Sequence, residues 1–463
     1  MTRTEPRDTG DNLDALARCD NNSAPEPAAR AYAQVLGVWL ATRLLGFAMF
    51  VFIWTRQDMG RYQRTLEGLG RDSSMYDSSL WSYLNWWDSY WYYRLAQEGY
   101  PSVLPDNVLY ANSVGESTWA FMPVFPSIVS WLSSVTGMSY FPVAVICSLI
   151  FSALMACAMY KVFRLSLNAS AQRGYLNLGE RSTHRIALIT VLLYGLYAAS
   201  PIFNTGYSEA LTVLLIVLVA WCLMAERYML LLPVALLASL TRPVGVPIGA
   251  WVGIWWVVCT INDMHTDERG MSISSFGASL KQRWGQLASA LLVCSFAFIH
   301  PLHAALKTGR TDAYLATELA WSGRNVADGH HYIVQWGQGL HKSIARPLPE
   351  TLYLAAALLV FALFFWWLSR RAVRAKLHPV LLIWCWCYAA YLLIFWYPQS
   401  STIRILLPLF PLALLFALAV RKSHLLLWGT IALGVVSQAV WLYCLWYAAP
   451  AFLRLFPGAS IAP

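Results

Sequence analysis

Residues 33–54 read AQVLGVWLATRLLGFAMFVFIW, and the only charge among them is Arg43. A helix needs about 20 mostly apolar residues to cross the hydrocarbon core of a bilayer. This stretch is long enough, and comparable runs recur to the end of the chain. Spans are expected near 33–54, 140–162, 186–203, 208–225, 228–241, 243–260, 285–305, 350–368, 379–397, 403–420 and 424–447. The chain is 58% hydrophobic and only 12% charged, against about 25% charge in an ordinary soluble domain. The expected fold is an all-α polytopic membrane protein with about eleven transmembrane helices. One membrane domain, 32–463, follows a polar tail, 1–31, expected to be disordered and cytoplasmic. No cleavable signal peptide is expected before the first span.

The distribution of charge orients the spans. Between 161 and 185 there are five basic residues against one acid, and 369–378 holds four basic residues and no acid. The stretch 55–118 has five basic against eight acidic residues, and 306–349 has five against three. Positive charge accumulates on the cytoplasmic side of membrane proteins. The pattern therefore puts the N-terminus inside and loops 55–139 and 306–349 outside, provided that 123–137, which holds Pro123 and Pro126, is interfacial or re-entrant. The net charge of +9 sets topology in this reading, and no nucleic-acid partner is expected. The excess of Arg over Lys leans toward a bacterial plasma membrane rather than the endoplasmic reticulum. The nine Cys show no disulfide or zinc spacing. Cys19 lies outside the spans, and Cys385 and Cys387 read as small buried hydrophobes.

The first external loop carries Trp86-Trp87-Asp88-Ser89-Tyr90-Trp91-Tyr92-Tyr93-Arg94. Asp88 to Gly99 reads as a short helix, with Asp88 as N-cap and Gly99 ending it before Pro101. Trp87, Trp91 and Leu95 share one stripe, expected to meet the membrane surface. Two roles compete for Asp88, a helix cap and a general base, and both can hold at once. Downstream, Trp119 to Pro126 reads as a rigid interfacial turn or as the wall of a lipid groove. Thr241-Arg242-Pro243 is placed to break one element into two half-helices.

Charged residues at membrane depth are costly and favour functional readings. Arg43 is expected to pair with an acid or to snorkel. Glu209, Arg242 and Arg404 all fall near the outer face, the same face as Asp88. Two arginines and an acid there suit a phosphate-bearing lipid, because guanidinium binds phosphate through paired, charge-assisted hydrogen bonds. The plainer alternative for each arginine is snorkelling. His300, His303, His330 and His331 show no firm zinc spacing, and His330-His331 reads as solvated loop.

These segments together resemble the PIG-V type mannosyltransferases, the GPI mannosyltransferase 2-like family within the GT-C class of polytopic glycosyltransferases. Trp87-Asp88 resembles the family's Trp-Asp motif, and Ala96 to Tyr100 its helix running into Gly-Tyr. Phe121 to Pro126 is similar to its Phe-Phe-Pro-Leu-Phe-Pro motif, with Met122 for the second Phe. Ser200-Pro201 through Tyr207-Ser208-Glu209 is similar to its entry into Tyr-Ser-Glu. Thr241 to Gly245 resembles Thr/Ser-Arg-x-x-Gly, with Val244 where the family often has Asn. Arg404 to Pro411 resembles Arg-x-Leu-Leu-Pro-x-Phe-Pro. The resemblance runs in order through most of the chain.

It implies a GT-C-like fold and a polyprenyl-phosphate-mannose donor lipid. The acceptor hydroxyl is left open among a glycolipid, a lipoglycan, a GPI-like anchor and a protein. It further implies inversion at the anomeric carbon, with Asp88 as base and Arg242 or Arg404 holding the phosphate. Trp87, Trp91, Tyr92 and Glu209 join those arginines as expected substrate-binding residues. No cofactor is predicted and no metal motif is read, although a divalent metal is left open. The phosphate is a good enough leaving group that no acid is strictly needed. Two other classes compete: a flippase for a lipid-linked sugar, which should show repeats and a midplane site, and a non-catalytic membrane scaffold.

Overall fold

A computed structural model describes residues 27–68, 72–107, 114–267, 271–321, 334–343 and 348–448. Residues 1–26 of the expected tail, with Cys19, and the pair His330-His331 lie outside the described residues. Among the described residues the secondary structure is helical, apart from an isolated bridge between Asp106 and Val114.

Among the described residues six helices are long and apolar enough to cross a membrane: Ala28–Trp54, Tyr140–Gln172, Gly245–Thr266, Trp284–Thr308, Glu350–Ser369 and His424–Ala448. The first begins five residues before the expected start. The other five expected spans form shorter helices: Glu180–Gly195, Glu209–Met224, Tyr228–Ser239, Pro379–Phe395 and Pro411–Val420. Segment 123–137 forms the helix Val124–Thr136 of 13 residues. At 1.5 Å per residue that is about 20 Å, short of a hydrocarbon core of about 30 Å, as the five shorter helices also are by their own length.

The long helices are turned inside out relative to those of a soluble protein. Ala28–Trp54 buries Trp39, Thr42 and Arg43 while Leu36, Leu40, Leu44 and Phe52 are exposed. His424–Ala448 likewise buries Gln438 and exposes Leu425, Trp428, Leu433, Val436 and Val440. Polar groups inward and leucines outward is the arrangement that hydrocarbon favours, and the protein is membrane-embedded. At the centre lies Glu209–Met224, with 13 of its 16 residues buried. A helix apolar all round belongs in the middle of a bundle, and its N-terminal residue is Glu209.

Arg43 neither pairs with an acid nor snorkels. Its guanidinium donates to the carbonyls of Gly195 and Ser200, to Asn204 Oδ1 at 3.0 Å and to Ser200 Oγ at 3.0 Å. Helix Glu180–Gly195 ends at that point, and the chain turns into the 3-10 segment Ser200–Asn204. The expected span 186–203 is therefore interrupted. Irregular backbone inside a membrane protein needs internal partners for its carbonyls. Arg43 supplies them, helped by Gln438, which also donates to the Gly195 carbonyl at 3.0 Å.

The following turn is fixed by close packing. A Cβ on Gly206 would overlap Asn85 Oδ1 and lie 3.0 Å from the Cβ of Ala144. Asn85 cannot swing away freely, because its Nδ2 donates to the carbonyls of Trp81 and Phe141. Gly206→Ala is expected to destabilise the protein by about 1–3 kcal/mol through overpacking. Thermal unfolding in detergent measures it, and an unchanged midpoint contradicts the packing argument.

Candidate functional site

The connection between Trp54 and Tyr140 is rich in helix, and its central element is Asp88–Glu98. The helix ends as expected, with Gly99 at φ 72°. Its beginning differs from expectation. Asp88 is the first helical residue, and the capping position is held by Trp87 at φ 63° without a side-chain cap. A bulky side chain in that region costs about 1–3 kcal/mol, so the surroundings must hold it there. They do: the Trp87 N–H donates to Tyr62 Oη at 2.9 Å, and the Asp88 N–H donates to Tyr207 Oη at 3.1 Å. Tyr207 in turn donates to the Trp86 carbonyl, and Ser89 Oγ donates to the Gly206 carbonyl at 2.8 Å. The Asp88 turn is thereby bolted to the turn that precedes Glu209.

With its backbone held, the Asp88 carboxylate is free of capping duty. Its Oδ2 accepts from Arg404 Nη1 at 2.7 Å. The same Arg404 nitrogen lies 3.2 Å from Glu209 Oε1, which also pairs with Arg242 Nη1. The four groups alternate in sign, Asp88–Arg404–Glu209–Arg242, and come from four separate segments. Arg404 sits on the short helix Thr402–Ile405. Arg242 sits in the break between Tyr228–Ser239 and Gly245–Thr266, so the expected division into two helices is present.

A cavity of about 230 Å³ opens beside this chain of charges. Asp88, Tyr92, Arg242, Glu318, Tyr388 and Arg404 are among its lining residues, and Phe121 and Met122 form part of its wall. The Arg242 side chain is 18% exposed and that of Arg404 only 5%, so Arg242 is the more available cation. Asp88 Oδ1 has no protein partner among the described residues.

Several expected site residues take other places. Glu209 does not line the cavity; its side chain is 5% exposed and bridges the two arginines. Trp87 and Trp91 are buried, do not line the cavity and do not face a membrane surface. Trp87 packs edge-on against Tyr62, and Trp91 stacks on Phe121 and meets Trp321 edge-on. The apolar stripe of their helix meets protein, and a periodic pattern alone does not distinguish protein from lipid. Tyr92 does line the cavity and shares a 2.6 Å hydrogen bond with Ser208.

His300 is buried, hydrogen-bonds the Trp119 carbonyl and packs among rings, as His303 packs on Trp119. Among the described residues no group of three or more His, Cys, Asp or Glu is arranged to hold a metal ion. Cys385 and Cys387 are buried and unpaired.

Sequence reasoning missed Glu318. It lies on helix Ala313–Ala320 in Tyr314-Leu315-Ala316-Thr317-Glu318-Leu319-Ala320, where a lone acid amid apolar residues was the available signal. Burial pushes its carboxyl up to about 7, against smaller opposing effects of a hydrogen bond with Tyr314 and the charge of Arg242. A raised carboxyl pKa means that the folded state holds its proton more tightly than the unfolded state. Stability should therefore fall as pH rises from about 4.5 to about 7 and stay reduced above it. Wild type is expected to lose on the order of 1–3 kcal/mol over that window relative to Glu318→Gln. Parallel unfolding curves for the two proteins across the window contradict this.

A scan against models of known protein families finds no match to this chain. A search of curated proteins also finds no match.

Proposed function

We propose that this protein is a glycosyltransferase of the GT-C type that moves mannose from a polyprenyl-phosphate-mannose lipid to an acceptor hydroxyl. In this reading about eleven segments cross the membrane, the shorter helices being completed by the turns that flank them. The cavity lies on the extracytoplasmic side of a bacterial plasma membrane. The observation that carries the reading is the meeting of Asp88, Arg242 and Arg404 at one cavity, from segments spread over more than 300 positions.

Asp88 accepts the proton of the attacking hydroxyl on Oδ1 while Arg404 holds Oδ2. General base catalysis of this kind contributes about 10²–10⁴-fold. Arg242 binds the phosphate, which agrees with its greater exposure, and stabilises the charge that grows there as the bond to the sugar breaks. Arg404 is an orienting group that fixes Asp88. Tyr92, Trp321, Tyr388 and Tyr391 offer rings and hydroxyls suited to a sugar. The acceptor is the open element, and the product of the reaction identifies it.

The test is transfer of radiolabelled mannose from polyprenyl-phosphate mannose in membranes containing the protein, compared with membranes lacking it. A new labelled product dependent on the protein is expected. Label that crosses the membrane on unchanged donor would instead establish a flippase. Label that neither moves nor transfers, in membranes shown to contain acceptor, would sink the transferase reading.

A further inference from the structure

We propose that Glu318 is the proton donor of this cavity, a carboxylic acid that stands near Arg242 and gives its proton to the departing phosphate. The proposal rests on the transfer reaction above and adds a residue to it. Two observations carry it: the place of Glu318 on the wall of the cavity that Arg242 also lines, and the charge of Arg242 acting on it there.

The two arginines are already matched by Asp88 and Glu209. A sugar phosphodiester brings one negative charge. When the bond between sugar and phosphate oxygen breaks, its electron pair stays on that oxygen, and the phosphodiester becomes a monoester. The second ionisation of a phosphate monoester lies near pH 6. When Asp88 takes the acceptor's proton it loses its charge, which leaves the buried Arg404 short of a partner but adds no cation beside the phosphate on the Arg242 side, where a proton from Glu318 can neutralise the new charge directly. Glu318 is the cavity-lining carboxyl outside the ion-paired set among the described residues.

The step balances. The acceptor oxygen bonds to the anomeric carbon and its proton goes to Asp88. The bond from that carbon to the phosphate oxygen breaks, and the proton of Glu318 goes to the phosphate. Afterwards Asp88 releases its proton and Glu318 takes one up. No oxidant enters.

Burial holds Glu318 toward its protonated form, while Tyr314 and Arg242 pull more weakly the other way. Tyr314, on the same helix, is hydrogen-bonded to it, and Tyr391, from the helix Pro379–Phe395, interacts with it electrostatically. Arg242 is the cation acting on it, and Asp88, Tyr92, Tyr388 and Arg404 face the same cavity. His300 packs on the ring of Tyr314. The burial that raises the carboxyl to about 7 keeps it charged with a proton near neutral pH, where proton transfer is most effective. An ionised Glu318 would instead repel the incoming diester from Arg242.

The experiment uses the full-length protein in lipid nanodiscs and geranyl phosphoryl mannose, a diester whose phosphate does not titrate near neutrality. Binding and single-turnover transfer to the acceptor identified as above are measured between about pH 6 and pH 8 for wild type, Glu318→Gln and Glu318→Asp. Wild-type affinity and rate are expected to fall above about pH 7. Glu318→Gln is expected to turn over about 10²–10⁴-fold more slowly and to lose the alkaline fall, and Glu318→Asp is expected to recover part of the rate. Wild-type rate and pH profile in Glu318→Gln would overturn the proposal. A uniform loss of affinity with an unchanged profile would also overturn it, by showing a structural role. If neither protein transfers mannose but diester binding is pH-dependent only in wild type, the transferase reading fails and the proton-linked phosphate site stands. Absence of diester binding by wild type overturns both.

Discussion

Replacing Asp88 by Asn is expected to lower sugar transfer about 10²–10⁴-fold while the protein stays folded. The two halves of this expectation have separate causes. Asn has no basic oxygen to take the proton of the acceptor, so the chemical step of the proposed reaction loses its base. Its amide oxygen can still accept from Arg404 Nη1, now 2.7 Å from the carboxylate. Arg404 also keeps Glu209 at 3.2 Å, so its charge is not stranded. The cost in stability should be about 1–2 kcal/mol, the difference between a charged and a neutral acceptor. The measurements are single-turnover transfer and thermal unfolding of the same preparation. Normal turnover in the variant would end the assignment of Asp88 as base. Loss of transfer together with collapse of the fold would assign Asp88 a structural part instead.

Replacing Glu209 by Ala should act in the opposite manner, on the fold first. Glu209 Oε1 meets both Arg242 and Arg404, and the side chains of Glu209 and Arg404 are each 5% exposed. Without that carboxylate one guanidinium loses its acid and the other keeps only Asp88. Two like charges then share a buried site. Removing one partner of a buried ion pair costs about 3–5 kcal/mol, and here the removed partner serves two arginines. The expected result is a large drop in the unfolding midpoint and in the yield of monodisperse protein. Glu209→Gln should lie between the two, since its amide oxygen accepts a hydrogen bond without the charge. A Glu209→Ala protein as stable as wild type would show that the arginines find other partners.

Asp88, Arg242 and Arg404 were legible in the sequence because each is a charge set in apolar or aromatic surroundings, and such placements are costly without purpose. The break at Thr241-Arg242-Pro243 was legible from proline. What each charge does with the others was not. Glu209 and Arg404 lie 195 positions apart (404 − 209), and nothing local says that one carboxylate bridges two arginines. The aromatic stripe of Trp87 and Trp91 was visible as a stripe, but its burial against Tyr62, Phe121 and Trp321 depends on elements far along the chain. Asp88 had the spacing of a helix cap and gives its carboxylate to Arg404, because Tyr207 and Tyr62 hold the backbone. Glu318 escaped notice although it is a lone acid amid apolar residues, because nothing local shows that its helix, Ala313–Ala320, packs against the cavity that Arg242 lines. The count of crossing segments met a similar limit: hydropathy finds apolar stretches, while carbonyl partners such as Arg43 decide where a helix can stop inside them.

Arg43 also has a consequence for the order of synthesis. Its carbonyl and amide partners lie 152, 157 and 161 positions further along the chain. At about 5–20 residues per second, roughly 8–30 s pass between the emergence of the arginine and that of its partners. During that interval the first helix carries a bare guanidinium near its middle, at a cost of about 2.5–3.5 kcal/mol to membrane insertion. The leucines and phenylalanines around it outweigh that cost, so the helix can enter. It cannot settle, however, until the turn from Gly195 to Asn204 arrives and Gln438 closes over it. A segment made early is thus among the last to reach its final surroundings.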